Sequence, residues 1–379
     1  WFNAEREKAV LTFPVVTAAM LVKDGKPVDV DFADMCAEEL SEGNSFFIYQ
    51  SESADSLASC CRLRNEISDN TFSYSLGAGG VATGSINVIT LNVNRIVQLK
   101  KELKTEIQKI HKYQVAYRKL IEEYKTAGLL PVYDAGYISL DKQFLTIGIN
   151  GMVEAAESVG IKAQNTSVYK NYVTKHLKVI FDANKEAKKQ YGYMFNTEFV
   201  PAENLGVKNA KWDREAGLKV ERDCYNSYFY AVEDETMNTL DKIMLHGKDM
   251  IQFLDGGSAL HLNLEEAPNK EGFSKLINAA ALAGCNYFCF NIKITICNSC
   301  NHIDKKTLQK CSKCGSTNID YGTRVIGYLK RISNFSSERQ KEHDVRHYHV
   351  TNSAHNLQKS RSEKLTEFYT KKEFMEVPN

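Results

Sequence analysis

Apolar residues along the chain follow two spacings, one typical of strands and one typical of helices. An apolar stretch within residues 8–22 predicts a buried strand, and residues 31–40, apolar at helical spacing, predict an amphipathic helix. A second strand is predicted at Asn87 to Val93, followed by a long helix from about Arg95 to Thr126. Strands alternating with helices are typical of α/β proteins.

The middle of the chain continues this pattern. Helical periodicity predicts helices over residues 143–160, 166–190 and 230–254. Loops and short strands are predicted at Val200 to Asn209 and at Gly217 to Val220. The pattern therefore predicts one large α/β region over most of the chain.

Composition and charge exclude several classes of protein. The 379 residues are 43% hydrophobic and 25% charged, which is typical of a globular protein with a substantial core, and the net charge of +1 provides no overall field for nucleic acid or an acidic membrane. No apolar run approaches the roughly 20 residues that cross a bilayer, and no signal peptide is evident. We expect a cytoplasmic protein without a membrane or nucleic-acid partner. Because the chain begins at Trp1, without an initiator methionine, we also expect it to be a part of a longer protein.

Four of the ten cysteines form two CxxC pairs. Cys297 and Cys300 are followed by Cys311 and Cys314, a spacing that suits a tetrahedral zinc ribbon. Four thiolates close the coordination shell and leave no position for water or substrate, so the predicted zinc is structural. His302 could replace one sulfur, although the four cysteines suffice.

A glycine lies shortly after these cysteines, in Arg324-Val325-Ile326-Gly327-Tyr328. A glycine between apolar residues is most often a tight turn or a bulge. The stretch from Arg324 to Arg346, however, resembles the radical loop of glycyl-radical enzymes, in which the glycine of an RVxGY motif stores an unpaired electron on its α-carbon. The resemblance implies this role for Gly327. A glycine suits it because an α-carbon without a side chain can flatten and can approach another loop closely.

Further motifs are similar to those of one glycyl-radical family, the anaerobic ribonucleotide reductases. In that family a four-cysteine zinc module precedes the radical glycine, as it does here. The sequence from Ser59 to Arg64, SCCRLR, with the glycine-rich stretch 77–80 and residues 84–92, resembles the family's finger loop. Cys61 matches the cysteine that forms a thiyl radical, and Cys60 is the second choice. Both would otherwise be buried core thiols.

Two more segments resemble the family. Pro201 to Asn204 is similar to its PAE loop, and Gly256 to Leu262 is similar to its GG[ST]xxH segment. Without the resemblance, the first is an ordinary turn, His261 is a strand residue, and a Gly-Gly pair is weak evidence for a phosphate site. The resemblance implies substrate binding by a set of residues from these motifs: Cys60, Arg62, Asn87, Glu203, Gly256, Gly257 and Ser258.

The resemblance runs from about Thr12 to Arg346 and implies a fold. We expect an α/β fold, the second half of a ten-stranded α/β barrel with a small zinc ribbon and a radical loop. The implied domains are a barrel portion over 1–290 with the finger loop near 59–64, a zinc-ribbon module over 291–320, a glycyl-radical loop over 321–350 and a tail over 351–379. The first half-barrel would come from a missing N-terminal part, and the full enzyme is expected to be a homodimer.

The implied activity is anaerobic reduction of ribonucleoside triphosphates to deoxyribonucleotides. A radical-SAM activating protein would remove hydrogen from Gly327, and Gly327 would then take hydrogen from Cys61. The reductant is either formate or a dithiol. In members that use formate, Thr-Phe-Pro is followed by an asparagine, whereas Thr12-Phe13-Pro14 here leads to Ala18 and Ala19. This departure counts against formate and makes a dithiol protein the competing donor.

Two alternatives remain at this point. Another glycyl-radical enzyme, such as an acyl lyase or a dehydratase, would share Gly327 and a finger-loop cysteine but not the zinc module. A non-enzymatic zinc-ribbon protein could bind nucleic acid through the basic residues of that module, namely Lys305, Lys306, Lys310 and Lys313. The near-neutral charge and the 290 preceding residues argue against it.

Overall fold

The computed structural model describes residues 5, 8–10, 15–52, 56–59, 63–66, 82–199, 204–324 and 327–349. All structural statements below concern these residues.

Five parallel strands form the centre of the molecule. They form two groups of hydrogen-bonded parallel strands. The first group along the chain has three strands, and the second has two. The strands are β6 (Ala82–Asn92), β7 (Ile138–Asn150), β8 (Met194–Phe199), β9 (Leu260–Leu264) and β10 (Tyr287–Ile292).

The two groups meet at a short parallel bridge between Glu198 of β8 and Gly257, just before β9. The amide of Phe199 donates to the Gly257 carbonyl at 3.1 Å, and the amide of Gly256 donates to the Thr197 carbonyl at 2.8 Å. The bridge joins the five strands into one array, the half-barrel sheet.

The strand direction reverses beyond β10. Strand β3 (Phe47–Ser51) pairs antiparallel with β10 and parallel with β1 (Thr17–Lys23), and β2 (Lys26–Pro27) closes the edge as a hairpin with β1. Strands β1 and β3 therefore run against the five parallel strands.

A smaller antiparallel sheet begins directly after β10. Its strand order is β12-β11-β13-β14. The strands are β11 (Ile294–Cys297), β12 (Ile303–Asp304), β13 (Ile319–Arg324) and β14 (Leu329–Arg331). A separate hairpin joins β4 (Ser56–Ser59) and β5 (Leu63–Glu66).

Helices connect the strands and cover the sheet. They are α1 (Val30–Ser41), α2 (Val93–Gln98), α3 (Leu103–Thr126), α4 (Pro131–Asp134), α5 (Met152–Ser158), α6 (Ser167–Tyr191), α7 (Leu205–Glu215), α8 (Thr239–Leu245), α9 (Lys248–Ile251), α10 (Lys270–Ala283) and α11 (Ser337–Val345), with a 3-10 turn at Ile332–Asn334.

Side-chain caps fix where several helices begin. Asp29, Asn92, Thr166, Asn238 and Asn269 each precede a helix and accept a hydrogen bond from the amide three residues later. These oxygens satisfy an amide that has no partner within the helix, which typically contributes about 1 kcal/mol.

The main core lies between the helices and one face of the sheet. Tyr169, Val173 and Leu177 follow one stripe of α6 and are fully buried, together with Ile147 and Ile149 of β7. Helical spacing on one element and alternation on the other direct these side chains to the same interior.

Several predicted elements are confirmed. Helix α1 corresponds to the helix predicted at 31–40, α6 to that at 166–190, and the strand predicted at Asn87 to Val93 lies almost wholly within β6. The strand predicted within 8–22 is present as β1. The helix predicted from Arg95 to Thr126 is instead divided into α2 and α3.

Three predictions were wrong. Residues 143–160 are not one helix, because β7 occupies the first half. Leu145, Ile147 and Ile149 alternate there with Thr146, Gly148 and Asn150, which is the spacing of a strand. Residues 230–254 contain only the short α8 and α9. Within the segment predicted as loops from Val200 to Asn209, the described part after residue 204 forms the start of α7.

Candidate active site and metal centre

Two similar turns carry the four cysteines of the CxxC pairs. The amide of Asn301 donates to the Cys297 carbonyl at 3.0 Å, and the amide of Gly315 donates to the Cys311 carbonyl at 3.0 Å. Both closing residues have positive φ, 59° at Asn301 and 72° at Gly315. Asparagine and glycine tolerate this conformation better than other residues, which explains why the chain can turn here.

The four sulfurs of Cys297, Cys300, Cys311 and Cys314 lie within 4.8 Å of one another. Cys297 Sγ lies 3.6 Å from Cys314 Sγ, and Cys300 Sγ lies 3.7 Å from Cys311 Sγ. Zinc–sulfur bonds of about 2.3 Å in a tetrahedron place sulfurs about 3.8 Å apart. The cluster therefore fits a tetrahedral metal ion such as zinc.

Gly327 lies in the turn between β13 and β14. Its φ is 113°, a conformation that side-chain-bearing residues rarely adopt, and the residue is buried. Its carbonyl accepts a hydrogen bond from Arg324 Nη1 at 2.7 Å. The turn thus holds a buried glycine α-carbon in a conformation that requires glycine.

Arg324 joins this turn to the start of β3. Its guanidinium is buried, donates from Nε to Ser45 Oγ at 2.8 Å and from Nη2 to the Ser45 carbonyl at 2.9 Å, and lies 5.2 Å from the ring centre of Phe47. One side chain therefore connects Gly327 to the strand that runs against β10.

Asn291, in the last parallel strand, holds the backbone of Arg324. Its Oδ1 accepts from the Arg324 amide at 2.9 Å, and its Nδ2 donates to the Arg324 carbonyl at 3.1 Å and to Asn263 Oδ1 at 2.7 Å. Thr323 Oγ1 also donates to Asn291 Oδ1 at 3.1 Å. Asn291 and Asn263 were not predicted from the sequence. The signal that could have indicated them is an asparagine inside each of two apolar strands.

A buried ion pair anchors the chain after the glycine turn. Arg346 donates from Nη1 to the Arg324 carbonyl at 2.9 Å and from Nη2 to both oxygens of Glu342, at 2.7 and 2.9 Å. Burial alone would raise the pKa of Glu342, but the neighbouring Arg346 and Arg339 hold that pKa below its ordinary value. Glu342 therefore stays ionised and fixes the Arg346 guanidinium against the turn.

The chain then returns to β9. The His349 amide donates to the Asn263 carbonyl and the Glu265 amide donates to the His349 carbonyl, both at 3.0 Å. Lys242 Nζ lies 2.9 Å from His349 Nε2. Burial lowers the pKa of Lys242 to about 8, and burial together with the Lys242 charge lowers the pKa of His349 to about 3. His349 is therefore neutral and able to accept from the lysine.

Gly256, Gly257 and Ser258 form the bridge segment between β8 and β9. A Cβ on Gly256 would lie 2.7 Å from the Thr197 carbonyl oxygen, and Gly257 has φ 105°. Both positions therefore require glycine. Ser258 is buried, and its hydroxyl has no hydrogen-bond partner among the described residues.

A polar row crosses the parallel strands near this segment. Ser85 Oγ lies 2.6 Å from Thr146 Oγ1, which donates to Asn196 Oδ1 at 2.6 Å. Asn196 Nδ2 and Asn87 Oδ1 are buried and lack a partner within the described part of the chain. The row therefore leaves a donor and an acceptor available for a polar ligand. Of its residues, only Asn87 was predicted from the sequence to bind substrate.

The remaining predicted site residues lie outside the described residues. They are Cys60, Cys61, Arg62 and Glu203, and the Thr12-Phe13-Pro14 segment is also outside. Of the predicted residues that are described, the four cysteines come together. The Arg324 side chain links Gly327 to Ser45. Gly256 to Ser258 lie elsewhere, in the bridge between β8 and β9.

No helix among the described residues has the length and apolar character needed to cross a membrane.

Solved structures similar to this chain include anaerobic ribonucleotide reductases. One, an anaerobic ribonucleotide reductase, is 30% identical with a TM-score of 0.79 over 93% of this chain and 57% of its own. Another, the anaerobic ribonucleotide reductase from Thermotoga maritima in complex with dATP and CTP, is 31% identical with a TM-score of 0.76, covering 90% of this chain and 57% of that one. The chain thus spans little more than half the length of these proteins.

A more distant likeness concerns the fold alone. A glycyl radical enzyme from Archaeoglobus fulgidus is 12% identical, with a TM-score of 0.53 over 89% of this chain and 53% of its own. Comparison with the curated proteins finds no match.

The sequence itself matches the family described as anaerobic ribonucleoside-triphosphate reductase over residues 3–349. This match covers the glycine turn, the cysteine cluster and the half-barrel sheet together. The chain therefore belongs to the anaerobic ribonucleoside-triphosphate reductase family.

Proposed function

We propose that this chain carries the radical-bearing part of an anaerobic ribonucleotide reductase, which reduces ribonucleoside triphosphates to 2′-deoxyribonucleoside triphosphates for DNA synthesis. The conformation of Gly327 carries the proposal. It combines a positive φ, burial and a carbonyl fixed by Arg324 at the end of a strand. The α-carbon of this glycine is the proposed site of the stored radical.

Gly327 is held in a way that suits a stored radical. Arg324 donates to the Gly327 carbonyl, and Gly327 is buried. Asn291 and Arg346 bond the backbone of Arg324, just before the turn. A rigid, dry environment restricts side reactions of a reactive intermediate. A radical-SAM activating protein is the proposed partner that removes one hydrogen atom from the Gly327 α-carbon.

The proposed reaction transfers single hydrogen atoms. The Gly327 radical takes the hydrogen of the Cys61 thiol, and the Cys61 thiyl radical takes the ribose 3′-hydrogen. The 2′-hydroxyl leaves as water after gaining a proton, and the reductant supplies two electrons and the second proton. Cys61 then returns hydrogen to C3′, and Gly327 returns hydrogen to Cys61.

Two reductants are compatible with this balance. Formate would be oxidised to carbon dioxide, and a dithiol protein would be oxidised to a disulfide. Thr12-Phe13-Pro14 leads to Ala18 and Ala19 and not to the asparagine of formate-using members, which counts against formate and makes a dithiol protein the competing donor.

Substrate would be held by residues from three segments. Ser258, in the bridge segment, offers a buried hydroxyl, and Asn87 offers a buried oxygen, neither of which has a partner among the described residues. The amides of Gly256 and Gly257 already donate to Thr197 and Leu254, so the two glycines are proposed contacts from the resemblance alone. Cys60, Arg62 and Glu203 remain proposed contacts from the resemblance. The dATP and CTP bound to the Thermotoga maritima protein support nucleotide binding by this fold.

The cysteine cluster would hold one structural zinc ion. All four ligands are thiolates, so the shell has no open position, and the ion would supply folding energy rather than chemistry. Because β13 pairs with β11, which ends at Cys297, and leads into the turn that bears Gly327, the ion would stabilise the radical loop.

The complete enzyme would contain more than this chain. The half-barrel would be the second half of a ten-stranded barrel, with the zinc ribbon attached, and an N-terminal half-barrel would close the substrate pocket. The predicted domain boundaries, a homodimeric full enzyme and a cytoplasmic location belong to the same proposal.

Electron paramagnetic resonance tests the proposal most directly. The chain, kept anaerobic and treated with an activating protein and S-adenosylmethionine, should show a glycyl doublet. Deuteration of glycine should collapse the doublet, because its splitting comes from the remaining α-hydrogen. A silent spectrum from folded, zinc-loaded protein under conditions that activate a related reductase would contradict the proposal.

A further inference from the structure

Arg324 is a buried arginine without a carboxylate partner. Four arginines among the described residues are buried, and three of them, Arg118, Arg339 and Arg346, each have a glutamate oxygen within 3.4 Å. Arg324 is the fourth, and it forms no ion pair with a carboxylate in the described part of the chain. Burying a charge without an opposite charge is costly. The charge of Arg324 therefore calls for a use other than an ion pair.

The surroundings of the Arg324 guanidinium are neutral. Burial lowers its pKa, and the groups that act against this effect are the thiol of Cys289 and the phenol of Tyr287. The ring of Phe47 lies 5.2 Å from the guanidinium carbon and adds only the weak attraction of an aromatic face. The positive charge is therefore not neutralised by its side-chain neighbours.

All of the hydrogen bonds of Arg324 go to uncharged oxygens. Nε donates to the Ser45 hydroxyl at 2.8 Å, and Nη2 donates to the Ser45 carbonyl at 2.9 Å. Two donors on one planar group that meet two acceptors on one residue fix the plane of the guanidinium. Nη1 is thereby directed at the Gly327 carbonyl, which it meets at 2.7 Å, at the short end of the range for such bonds.

The Gly327 carbonyl belongs to the group that carries the proposed radical. When the α-carbon loses a hydrogen atom, it flattens, and the unpaired electron spreads over the α-carbon, the amide nitrogen and the carbonyl oxygen. The nitrogen gives electron density and the oxygen takes it, so the oxygen is more negative in the radical than in the intact glycine. A fixed cation at this oxygen stabilises the radical more than the intact residue, and burial strengthens the effect.

We propose that the charge of Arg324, and not only its shape, sets how strongly Gly327 holds its α-hydrogen. This inference rests on the proposed radical role of Gly327. The cation weakens the bond between the α-carbon and its hydrogen, so the radical takes hydrogen from thiols less readily. A radical stored between turnovers is thereby protected from stray thiols. Ser45 is the positioning residue, because it holds the guanidinium at the Gly327 carbonyl.

The first test detects the guanidinium beside the radical without changing the chain. The 379-residue chain is labelled with arginine that carries ¹⁵N in its guanidinium, and it is activated anaerobically with the activating protein and S-adenosylmethionine. Electron-nuclear double resonance on the glycyl doublet should show a coupling to a guanidinium nitrogen, and labelled Arg324→Lys should lack it. A confirmed doublet without the coupling overturns the inference. Absence of the doublet itself would instead contradict the radical role of Gly327.

The second test separates the charge of residue 324 from its shape. Lysine and glutamine are both shorter than arginine and can each donate to one carbonyl, so the two variants differ chiefly in charge. In Arg324→Gln the α-hydrogen splitting of the doublet should widen, because more of the unpaired electron stays on the α-carbon. Added 2-mercaptoethanol should quench its radical about tenfold faster, the effect of losing one charge-assisted hydrogen bond. Arg324→Lys should stay close to wild type in both measurements.

Arg331→Gln is the matched control for this test. Arg331 lies in β14, two residues after the turn, and bonds to Asn298 and Asp320 instead of Gly327. Its splitting and its quenching rate should equal those of wild type. Equal changes in Arg324→Gln and Arg324→Lys would mean that Arg324 acts by shape alone, and this result overturns the inference. No change in either variant overturns it as well. If neither variant folds, the nitrogen coupling in wild type decides.

Discussion

Gly327 occupies a position that requires a residue without a side chain. Its φ of 113° disfavours any L side chain, at a cost of about 1–3 kcal/mol, and its carbonyl is held by Arg324. An α-carbon radical in the main chain adds dioxygen, and the resulting peroxyl species breaks the backbone at that residue. The activated protein should therefore be cut at Gly327 in air.

Gly327→Ala should abolish both the radical signal and the cut. Mass spectrometry of activated wild type exposed to air should find a fragment of about 52 residues after Gly327 and the four zinc cysteines on the larger piece. Wild type that stays intact despite a confirmed radical, or equal cleavage of the variant, would exclude Gly327 from the radical role.

Cys61 should be separable from its neighbour Cys60 by single substitutions. Cys61→Ser should abolish nucleotide reduction in the completed enzyme while the Gly327 radical still forms, because the activating protein acts on glycine first. Cys60→Ser should be milder. Turnover and radical signal are measured on the same samples. The assignment is reversed if Cys60→Ser is inactive and Cys61→Ser retains turnover.

At the scale of residues, the sequence singles out candidate site residues but not the residues that position them. Gly327 and the four cysteines stand in short motifs, so the sequence alone could indicate them. Ser45 and Asn291, which position Arg324, could not be found in this way. Ser45 lies 279 residues from Arg324 in the chain, and no local pattern encodes such a contact.

Among the elements, the small sheet links metal binding to the glycine turn. Replacing any of its four cysteines by serine should release zinc, since three thiolates hold the ion less tightly, and should loosen the turn between β13 and β14. Metal analysis and limited proteolysis near residue 327 would measure both effects. Cys36→Ser, at a buried core cysteine outside the cluster, is the control and should keep its zinc. One zinc per chain in all four variants would defeat the assignment.

The segment that returns to β9 should make stability depend on pH. Burial and the Lys242 charge lower the pKa of His349 to about 3, below the ordinary value near 6.5. As pH falls, His349 therefore becomes protonated at a higher pH in the unfolded chain than in the folded chain. The contribution of the neutral histidine to the free energy of unfolding is complete above about pH 6.5 and is lost as pH falls towards 3. His343, whose pKa burial lowers to about 4, acts in the same direction.

Denaturant titrations between pH 7 and 4 should show the free energy of unfolding falling with acidification. His349→Gln keeps an acceptor for Lys242 but does not titrate, so its slope should be shallower than that of wild type. If the free energy of unfolding of His349→Gln fell with pH as steeply as that of wild type, His349 would not contribute to the pH dependence.

The error at residues 143–160 came from a strand that continues directly into a helix. Leu145, Ile147 and Ile149 pack on helices while the polar Thr146 lies on the other buried face. This alternation is the spacing of a strand, and treating 143–160 as one segment with the following helix obscured it. Helices α1 and α6, each with one solvent face, were predicted well.

For the whole molecule, the half-barrel sheet implies that turnover needs a second half. Strand β6 pairs only with β7 in the described part of the chain, so its other edge is available for pairing. We expect the 379-residue chain alone to be inactive in nucleotide reduction. Adding a polypeptide that corresponds to the unmatched part of the solved reductases should raise turnover and solubility together. Robust turnover by the chain alone would refute this expectation.

The glycine turn is tied to the rest of the molecule on both of its sides, and this has a consequence for oxygen damage. After a cut at Gly327, the C-terminal piece keeps β14 paired with β13, the Arg346 bond to the Arg324 carbonyl, and the His349 bridge to β9. The cleaved protein then consists of two fragments that stay associated without a covalent bond. Inactivation by air would accordingly leave the shape of the molecule almost unchanged, and a cell would have to recognise the damage by lost activity or by the new chain ends.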